Sequence, residues 1–415
     1  MNCLRRFQVS ESIKFALALL VSVYFAAMPQ TVHSADNDNS KPVLSTELIF
    51  PLNPQHNHAP GIAELSNGDL IVSWYRGSGE RTADDVAVLG ARQKAGSTSW
   101  SESFLMVDTP GFPDCNTCLM TDAQGRLWLF WPVIIANSWE SCITRFRVSD
   151  QPIGLGCPEW NRDSMMLLKP KDFQETALKQ LDEQVKALGG EMTERRSKVI
   201  AAVKERLGDK LSQRLGWQPR CKPTVLPSGR ILLPLYSDTY SLSIMAISDD
   251  AGANWVASEP LVGFGAIQPA VLRRNDGTLV AYMRENGYTG FVRQCESKDD
   301  GLTWGPVGVC SIPNPGSGLD GVRLANGHWV LLCNDTSNGR NRLTLLISED
   351  EGATWPISRS IEDQPEGSYH YPAIIQSKSG MIHAVYSYFV QEGKSMKHAA
   401  FNEAWIRQAN SAKAP

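Results

Sequence analysis

Two arginines, a tyrosine and a pair of aspartates stand at the ends of apolar segments in separate stretches of this chain. Arg284 follows Tyr282-Met283, and Arg340 precedes Ser348 by eight residues. Tyr371 opens Tyr371-Pro-Ala-Ile-Ile-Gln, and Asp84-Asp85 lie in the loop from Gly79 to Val86. A guanidinium is planar, keeps its charge at any working pH and gives two parallel hydrogen bonds to a carboxylate. A phenol or a carboxylic acid can attack carbon or move a proton. His58, with His56 nearby, adds a group that changes charge near neutral pH, and Arg76 adds a further candidate for binding. Each has an ordinary use as well, since arginines end strands in solvent, aspartates cap turns, and lone histidines and strand tyrosines are mostly structural. These residues become a set only if a fold brings separate strand ends to one place.

Such a fold is written in two repeats. Ser248-x-Asp250-x-Gly252-x-x-Trp255 recurs as Ser297-x-Asp299-x-Gly301-x-x-Trp304 and as Ser348-x-Asp350-x-Gly352-x-x-Trp355, in steps of 49 and 51 residues. That step suits four short strands and their turns, one propeller blade. Within each copy Ser and Asp can bond the turn's own backbone, Gly supplies positive φ and Trp fills the gap between strands, so the unit is a staple rather than a site. The second repeat is an apolar strand, a polar Gly turn and another apolar strand. Its six copies centre on Gly68, Gly125, Gly229, Gly277, Gly327 and Gly380, spaced 57, 104, 48, 50 and 53 residues apart. Six hairpins predict six blades, and the doubled interval predicts an insertion. Trp74, Trp131, Trp139 and Tyr240 are candidates to stack on sugar rings, although most such aromatics fill the space between blades.

From Lys171 to Trp217 the β-branched pattern gives way to Leu, Ala, Glu, Lys and Arg, which are helix formers. Leu178, Leu181, Val185 and Leu188 line one face, Gly189-Gly190 breaks the run, and Ile200, Val203, Leu207 and Leu211 line a second. The segment predicts a helical hairpin inserted at 171–217 between blades 2 and 3, packed on the rim or closing over a cleft.

A net charge of −4 and the lack of any basic block exclude a phosphate-tracking surface, so no nucleic-acid partner is expected. Residues 1–34 have the form of an export signal: Arg5, Arg6 and Lys14 precede an apolar run from Phe15 to Ala27, too short to span a bilayer. A secreted or periplasmic propeller over 43–415, with no membrane span once the signal is removed, is the expectation. The remaining eight cysteines permit disulfides, with Cys295–Cys310 and Cys115–Cys118 as candidate pairs. No nucleotide loop, zinc helix or EF-hand loop occurs, so neither a cofactor nor a metal is expected.

The three turns and six hairpins resemble the Asp-box six-bladed propellers of the sialidase superfamily, from about Val43 to Ile406. Asn137-Ser138-Trp139-Glu140-Ser141, Gly318-Leu319-Asp320 and Phe401-Asn402-Glu403-Ala404-Trp405 resemble segments of bacterial predicted neuraminidases. The resemblance implies an all-β, sialidase-like propeller that hydrolyses acidic glycans from one end, using three arginines for the substrate carboxylate, a Tyr nucleophile activated by a Glu, and an Asp acid. Carried over, Arg284 matches the second arginine and Arg340 the third, with Arg342 a weaker substitute. Tyr371 matches the nucleophile, with Tyr369 its rival, and Asp85 matches the acid, with Asp84 second.

Two positions depart from that pattern. His58 stands where the first arginine belongs, two residues before Pro60, and Gln268 stands before Pro269 where the activating Glu belongs. A glutamine cannot take a proton. One alternative is therefore a uronate lyase, in which the arginines neutralise the carboxylate, His58 takes the C5 proton and Tyr371 protonates the departing oxygen. A hydrolase with Glu366 or Asp320 as base is another alternative, and a propeller that binds glycans without turnover is a third.

Overall fold

In a computed structural model of the chain, residues 41–188 and 193–408 are described. The 1–34 signal and the Gly189-Gly190 break lie outside those residues. The described residues form six antiparallel sheets, each starting with a strand at the axis and stepping outward, so the chain is an all-β, six-bladed β-propeller. Blade 1 is His56–Glu64, Leu70–Gly77, Ala87–Gln93 and Phe104–Val107. Blade 2 runs from Cys118–Thr121 to Arg162–Met165, blade 4 from Ala266–Arg273 to Gly308–Pro313, and blade 5 from Asp320–Arg323 to Ile357–Asp363. The inner strand of blade 3 comes in two pieces, Gln218–Pro219 and Thr224–Val225, both paired with Ile231–Ser237. Blade 6 (Ser368–Gln376, Ile382–Val390, Gly393–Phe401) takes its fourth strand, Leu44–Leu48, from the start of the propeller. That borrowed strand closes the ring and leaves no open edge between first and last blades.

The strands are apolar on both faces because each blade is covered by two neighbours. Leu127–Ile134 is buried throughout, whereas the next strand outward, Cys142–Ser149, mostly alternates. Six apolar clusters fill the six gaps between blades. Trp74 and Trp131 belong to two of them and are fully buried, so neither is a sugar platform.

The three Ser/Asp/Gly/Trp turns behave as staples. Ser248, Ser297 and Ser348 each accept from the glycine N–H four residues on, at 2.8, 3.0 and 2.8 Å. Trp255 packs edge-on against Phe130 and Phe146 of blade 2, and Trp355 against Tyr282 of blade 4. Each tryptophan thus ties its blade to the preceding one.

Two helices interrupt the chain between blades 2 and 3: α1, Phe173–Leu188, and α2, Glu194–Leu207. Phe173, Ala177, Leu181 and Leu207 are buried with Trp217, Tyr240 and Val262, so the hairpin is docked on the rim of blades 3 and 4. Tyr240 is a wall of that packing and donates its hydroxyl to the Arg206 carbonyl. Leu211, expected on the second apolar face, lies beyond the end of α2 and is 66% exposed.

The eight cysteines of the described residues are all free. Cys295 and Cys310 do lie on paired strands, but Cys295 faces the cluster between blades 3 and 4 and Cys310 the cluster between blades 4 and 5. Cys115 and Cys118 likewise turn into different clusters. No helix among the described residues is long and apolar enough to cross a membrane.

Candidate active site

Three inner strands carry the same defect. The ladder shifts register between His58 and Gly61, between Ile267 and Ala270, and between His370 and Ala373. In each gap a non-glycine residue with positive φ precedes a proline: Ala59 at 51°, Gln268 at 56° and Tyr371 at 46°. Proline has no N–H for the ladder, and a residue before proline resists such a backbone, so each bulge stores strain of about 1–3 kcal/mol. The bulges also leave carbonyls without ladder partners. Arg220, in the break of blade 3's inner strand, reaches across the axis and donates to the Pro60 carbonyl at 3.4 Å and the Pro372 carbonyl at 2.9 Å. It is 1% exposed, and its guanidinium lies 4.8 Å from the centre of the Tyr371 ring, which offsets part of the cost of burying a charge without a carboxylate.

Tyr371 is the hub of what gathers there. Its oxygen accepts from Arg284 Nη1 at 3.0 Å and from Gln268 Nε2 at 3.3 Å. The His58 ring stacks on the phenol at 4.6 Å between centroids, and the Arg340 guanidinium lies 5.9 Å from it. Gly318 makes the close packing feasible, because a Cβ there would sit 2.5 Å from the Tyr371 ring. Arg340 is aimed by the His370 ring, 2.9 Å away, and by the Gly316 carbonyl at 2.9 Å. Blades 1, 4 and 5 and the break in blade 3 therefore contribute cationic or aromatic groups to the one phenol of blade 6.

Carboxylates border this cluster on two sides. Glu80 accepts from the Tyr75 hydroxyl at 2.8 Å and meets His56 Nε2 at 3.1 Å. Burial works against its charge, but those hydrogen bonds hold its pKa below the usual value, so Glu80 is ionised near neutrality. Asp238 accepts from Gln218 Nε2 at 3.0 Å, and Gln218 in turn accepts from Asn116, which also donates to Tyr236. Burial raises the Asp238 pKa, with Arg284 opposing and Glu140 adding to the rise. His58 is pushed well below its ordinary value by burial first and by His370, His56, Arg220 and Arg340 after it. His370 falls to about 3, by burial and then by Arg340. Both rings are neutral at any physiological pH.

The BNR repeat-like domain family matches residues 217–384, blades 3 to 5 and part of blade 6. A sialidase of Micromonospora viridifaciens is 28% identical over 174 residues, which is 40% of this chain and 26% of that protein's own length. In fold, the NanB sialidase of Streptococcus pneumoniae superposes with a TM-score of 0.64 at 13% identity, covering 86% of this chain and 70% of that one. The chain is a sialidase-like propeller. A protein of unknown function from Dyadobacter fermentans has the same fold, with a TM-score of 0.66 at 15% identity over 86% of this chain and 99% of that one.

Within this sialidase-like propeller, Arg284, Arg340, Tyr371, His58 and Gln268 meet in one cluster, as the preceding contacts describe. The other candidates are engaged elsewhere. Arg76 donates from Nε to Asn57 at 2.7 Å and lies over Phe50 and Trp74, in the gap between blades 6 and 1. Asp85 is exposed and accepts from the Ser78 N–H and hydroxyl, while Asp84 accepts from Asn137 Nδ2 at 2.7 Å. Tyr369 is buried in the core between blades 5 and 6, and Arg342 pairs with Asp335. Asp320 is held by Lys222 and by the Ile374 N–H, and Glu366 is exposed on a loop. Neither is a base at Tyr371.

Arg220, Glu80, Asp238 and His370 were not singled out by sequence. Glu80 shares its loop with Asp84 and Asp85, and His370 adjoins Tyr371, so proximity could have found both. Nothing in the sequence marks Arg220, which follows the helical insertion, or Asp238, in a loop after a strand. His328, Glu349 and Glu403 also cluster, but Arg407 already donates to both glutamates, which accounts for the group without a metal.

Proposed function

We propose that this propeller cleaves glycosides of a carboxylate-bearing sugar, with Tyr371 as nucleophile and Arg284 and Arg340 as carboxylate clamps. The observation that carries the reading is the Tyr371 oxygen receiving Arg284 Nη1 at 3.0 Å inside a ring of guanidinium groups. Two donors, Arg284 Nη1 and Gln268 Nε2, point at that oxygen and leave a lone pair to face the anomeric carbon. In this scheme the phenol first loses its proton to solvent. Tyr371 Oη then attacks the anomeric carbon as the glycosidic C–O bond breaks, and the carboxylic acid of Asp238 gives its proton to the leaving oxygen. Water next attacks the same carbon, returns a proton to Asp238 and releases the tyrosinate. A raised pKa is what a general acid needs, and Asp238 has it, whereas Asp85 is held by Ser78. The distant likeness to sialidases supports hydrolysis, and the export signal read from residues 1–34 would place the reaction outside the cytoplasm.

The lyase reading draws support from the stacking of neutral His58 on Tyr371. It requires His58 to hold a proton after taking it from C5. Burial and four neighbouring cationic or titratable groups oppose that imidazolium, so hydrolysis is preferred. A panel of sialosides, uronides and neutral glycosides separates the readings. Free acidic sugar is the expected product; an ultraviolet-absorbing unsaturated uronate would establish elimination, and binding without product would leave a lectin. Tyr371→Phe should abolish product release with the thermal transition nearly unchanged, and retained turnover would remove the phenol from the mechanism.

A further inference from the structure

The helical hairpin does more than cover the rim. Between it and blades 3 and 4 lies a cavity of ≈ 260 Å³. Ala177 and Leu181 of α1, Val203 and Leu207 of α2, and Tyr240 and Val262 of the propeller form its apolar walls. By comparison, a cavity of about 150 Å³ walled by Leu, Ile and Phe stays dry and takes up benzene. A two-ring aromatic or a short alkyl chain fits the larger space.

One lining residue asks for something else. Thr239 is 9% exposed, and its Oγ1 is buried with no hydrogen-bond partner among the described residues. A buried hydroxyl left unpaired is unfavourable, and a ligand oxygen at that point would relieve it. The ligand implied is apolar with one polar atom.

The cavity is joined to the Tyr371 cluster through the chain. Thr239 follows Asp238 directly. Gly265 precedes the strand that carries Gln268, and Asn286 and Gly287 follow the strand that ends at Arg284 and Glu285. The two loops are clasped: the Asn286 N–H donates to the Gly265 carbonyl at 2.7 Å, a Cβ on Gly265 would lie 2.3 Å from the Asn286 carbonyl carbon, and one on Gly287 would lie 2.5 Å from the Phe264 oxygen. Only glycines permit that approach, and it fixes the wall of the cavity to the strands bearing the clamp. Tyr288, 71% exposed, stands at the mouth.

We propose that this cavity is the aglycone subsite: it takes the aromatic or alkyl group attached through oxygen to the acidic sugar, with Thr239 Oγ1 meeting a ligand oxygen. The proposal rests on the glycosidase reading above, and its test separates the two. Calorimetry on the Tyr371→Phe protein, which removes turnover from the measurement, compares 1-naphthol, naphthalene, free N-acetylneuraminic and glucuronic acids, and the methyl and 1-naphthyl glycosides of each acid. Saturable 1-naphthol binding is expected, together with at least tenfold tighter binding of the naphthyl than of the methyl glycoside. Val203→Trp, which fills the cavity from α2, should bring that ratio close to one and leave methyl glycoside affinity unchanged. Thr239→Val, nearly isosteric and so safe for folding, should weaken 1-naphthol several-fold and naphthalene not at all. Equal affinity for the two glycosides, or a ratio that survives Val203→Trp, would overturn the subsite with the glycosidase reading intact. If 1-naphthol binds at the cavity while no acid and no methyl glycoside binds, the acidic-sugar reading fails, and the aglycone assignment falls with it.

Discussion

The two ends of this propeller repeat themselves in opposite ways. At one end the Ser/Asp/Gly/Trp turns keep their side chains: Ser248, Ser297 and Ser348 donate to Asp250, Asp299 and Asp350 at 2.9, 2.8 and 2.7 Å. At the other end the inner-strand bulges keep their backbone and change the side chain, from Ala59 to Gln268 to Tyr371, with φ between 46° and 56°. The difference follows from what each feature does. In the turn, the side chains are the staple, so the same residues must return. In the bulge, the strained backbone only aims a side chain at the axis, so the aim is repeated and the chemistry is free to vary. Left-handed backbone at a non-glycine residue occurs at both ends, at Ala251, Asp300 and Glu351 in the turns as in the bulges, but only in the bulges does that residue precede a proline.

The comparison predicts separable losses. Trp355→Ala should have the largest effect, about 2–4 kcal/mol of stability, since the half-buried ring packs against Tyr282 between blades 4 and 5. Urea melts measure it, and kcat/KM below the transition should hold at the wild-type value. A parallel fall in activity would mean that the two ends are mechanically one unit. Asp238→Asn should do the reverse, leaving the melt close to wild type and lowering kcat roughly 10²-fold or more for a poor leaving group. The loss should shrink for an aryl leaving group that needs no proton. If both leaving groups suffer equally, Asp238 supports Gln218 and is not the acid.

The same contrast explains what the sequence could reveal. The turn end was legible because its function is local: Ser348, Asp350, Gly352 and Trp355 act within eight residues, so one pattern carries both the part and its role. Six hairpins and the helical insertion were legible for the same reason, as each is a run of like residues. The site is assembled from residues hundreds of positions apart. Tyr371, Arg284 and Arg340 could be found because each stands beside a repeat landmark, but Arg220 enters through a break in blade 3's inner strand that its sequence does not announce. Asp85 and Asp84 were the acid candidates of their loop and Glu80 was passed over, because spacing cannot say which carboxylate of a loop turns inward. The proposed disulfides failed on a similar point: strand pairing was inferable for Cys295 and Cys310, but not the face each side chain takes.

The smallest predicted effect distinguishes the ends by acid. In the unfolded chain a histidine titrates near 6.5, while in the folded chain His58 lies well below that value and His370 at about 3. The unfolded state therefore binds more protons below pH 6.5, and stability falls as pH drops through that value. The loss is about 1 kcal/mol for each ring by pH 6, and it is absent above pH 8. At the turn end the direction of risk is the same but the window differs. Asp250 and Asp350 are held at about 2 by hydrogen bonds from their own turns, so their contribution is lost only as pH falls below the usual aspartate value. Between pH 4.5 and 7 the site end should therefore lose stability as pH falls, and the turn end should not. Thermal melts across that range should decline in the wild type, and His370→Gln should flatten the decline by about one ring's share, whereas Asp350→Asn should leave its slope alone. A wild-type slope between pH 7 and 5 that His370→Gln leaves unchanged would mean that His58 and His370 accept protons in the folded state. Both would then carry charge beside Arg340, and the site would be more cationic than the geometry allows without an anion bound.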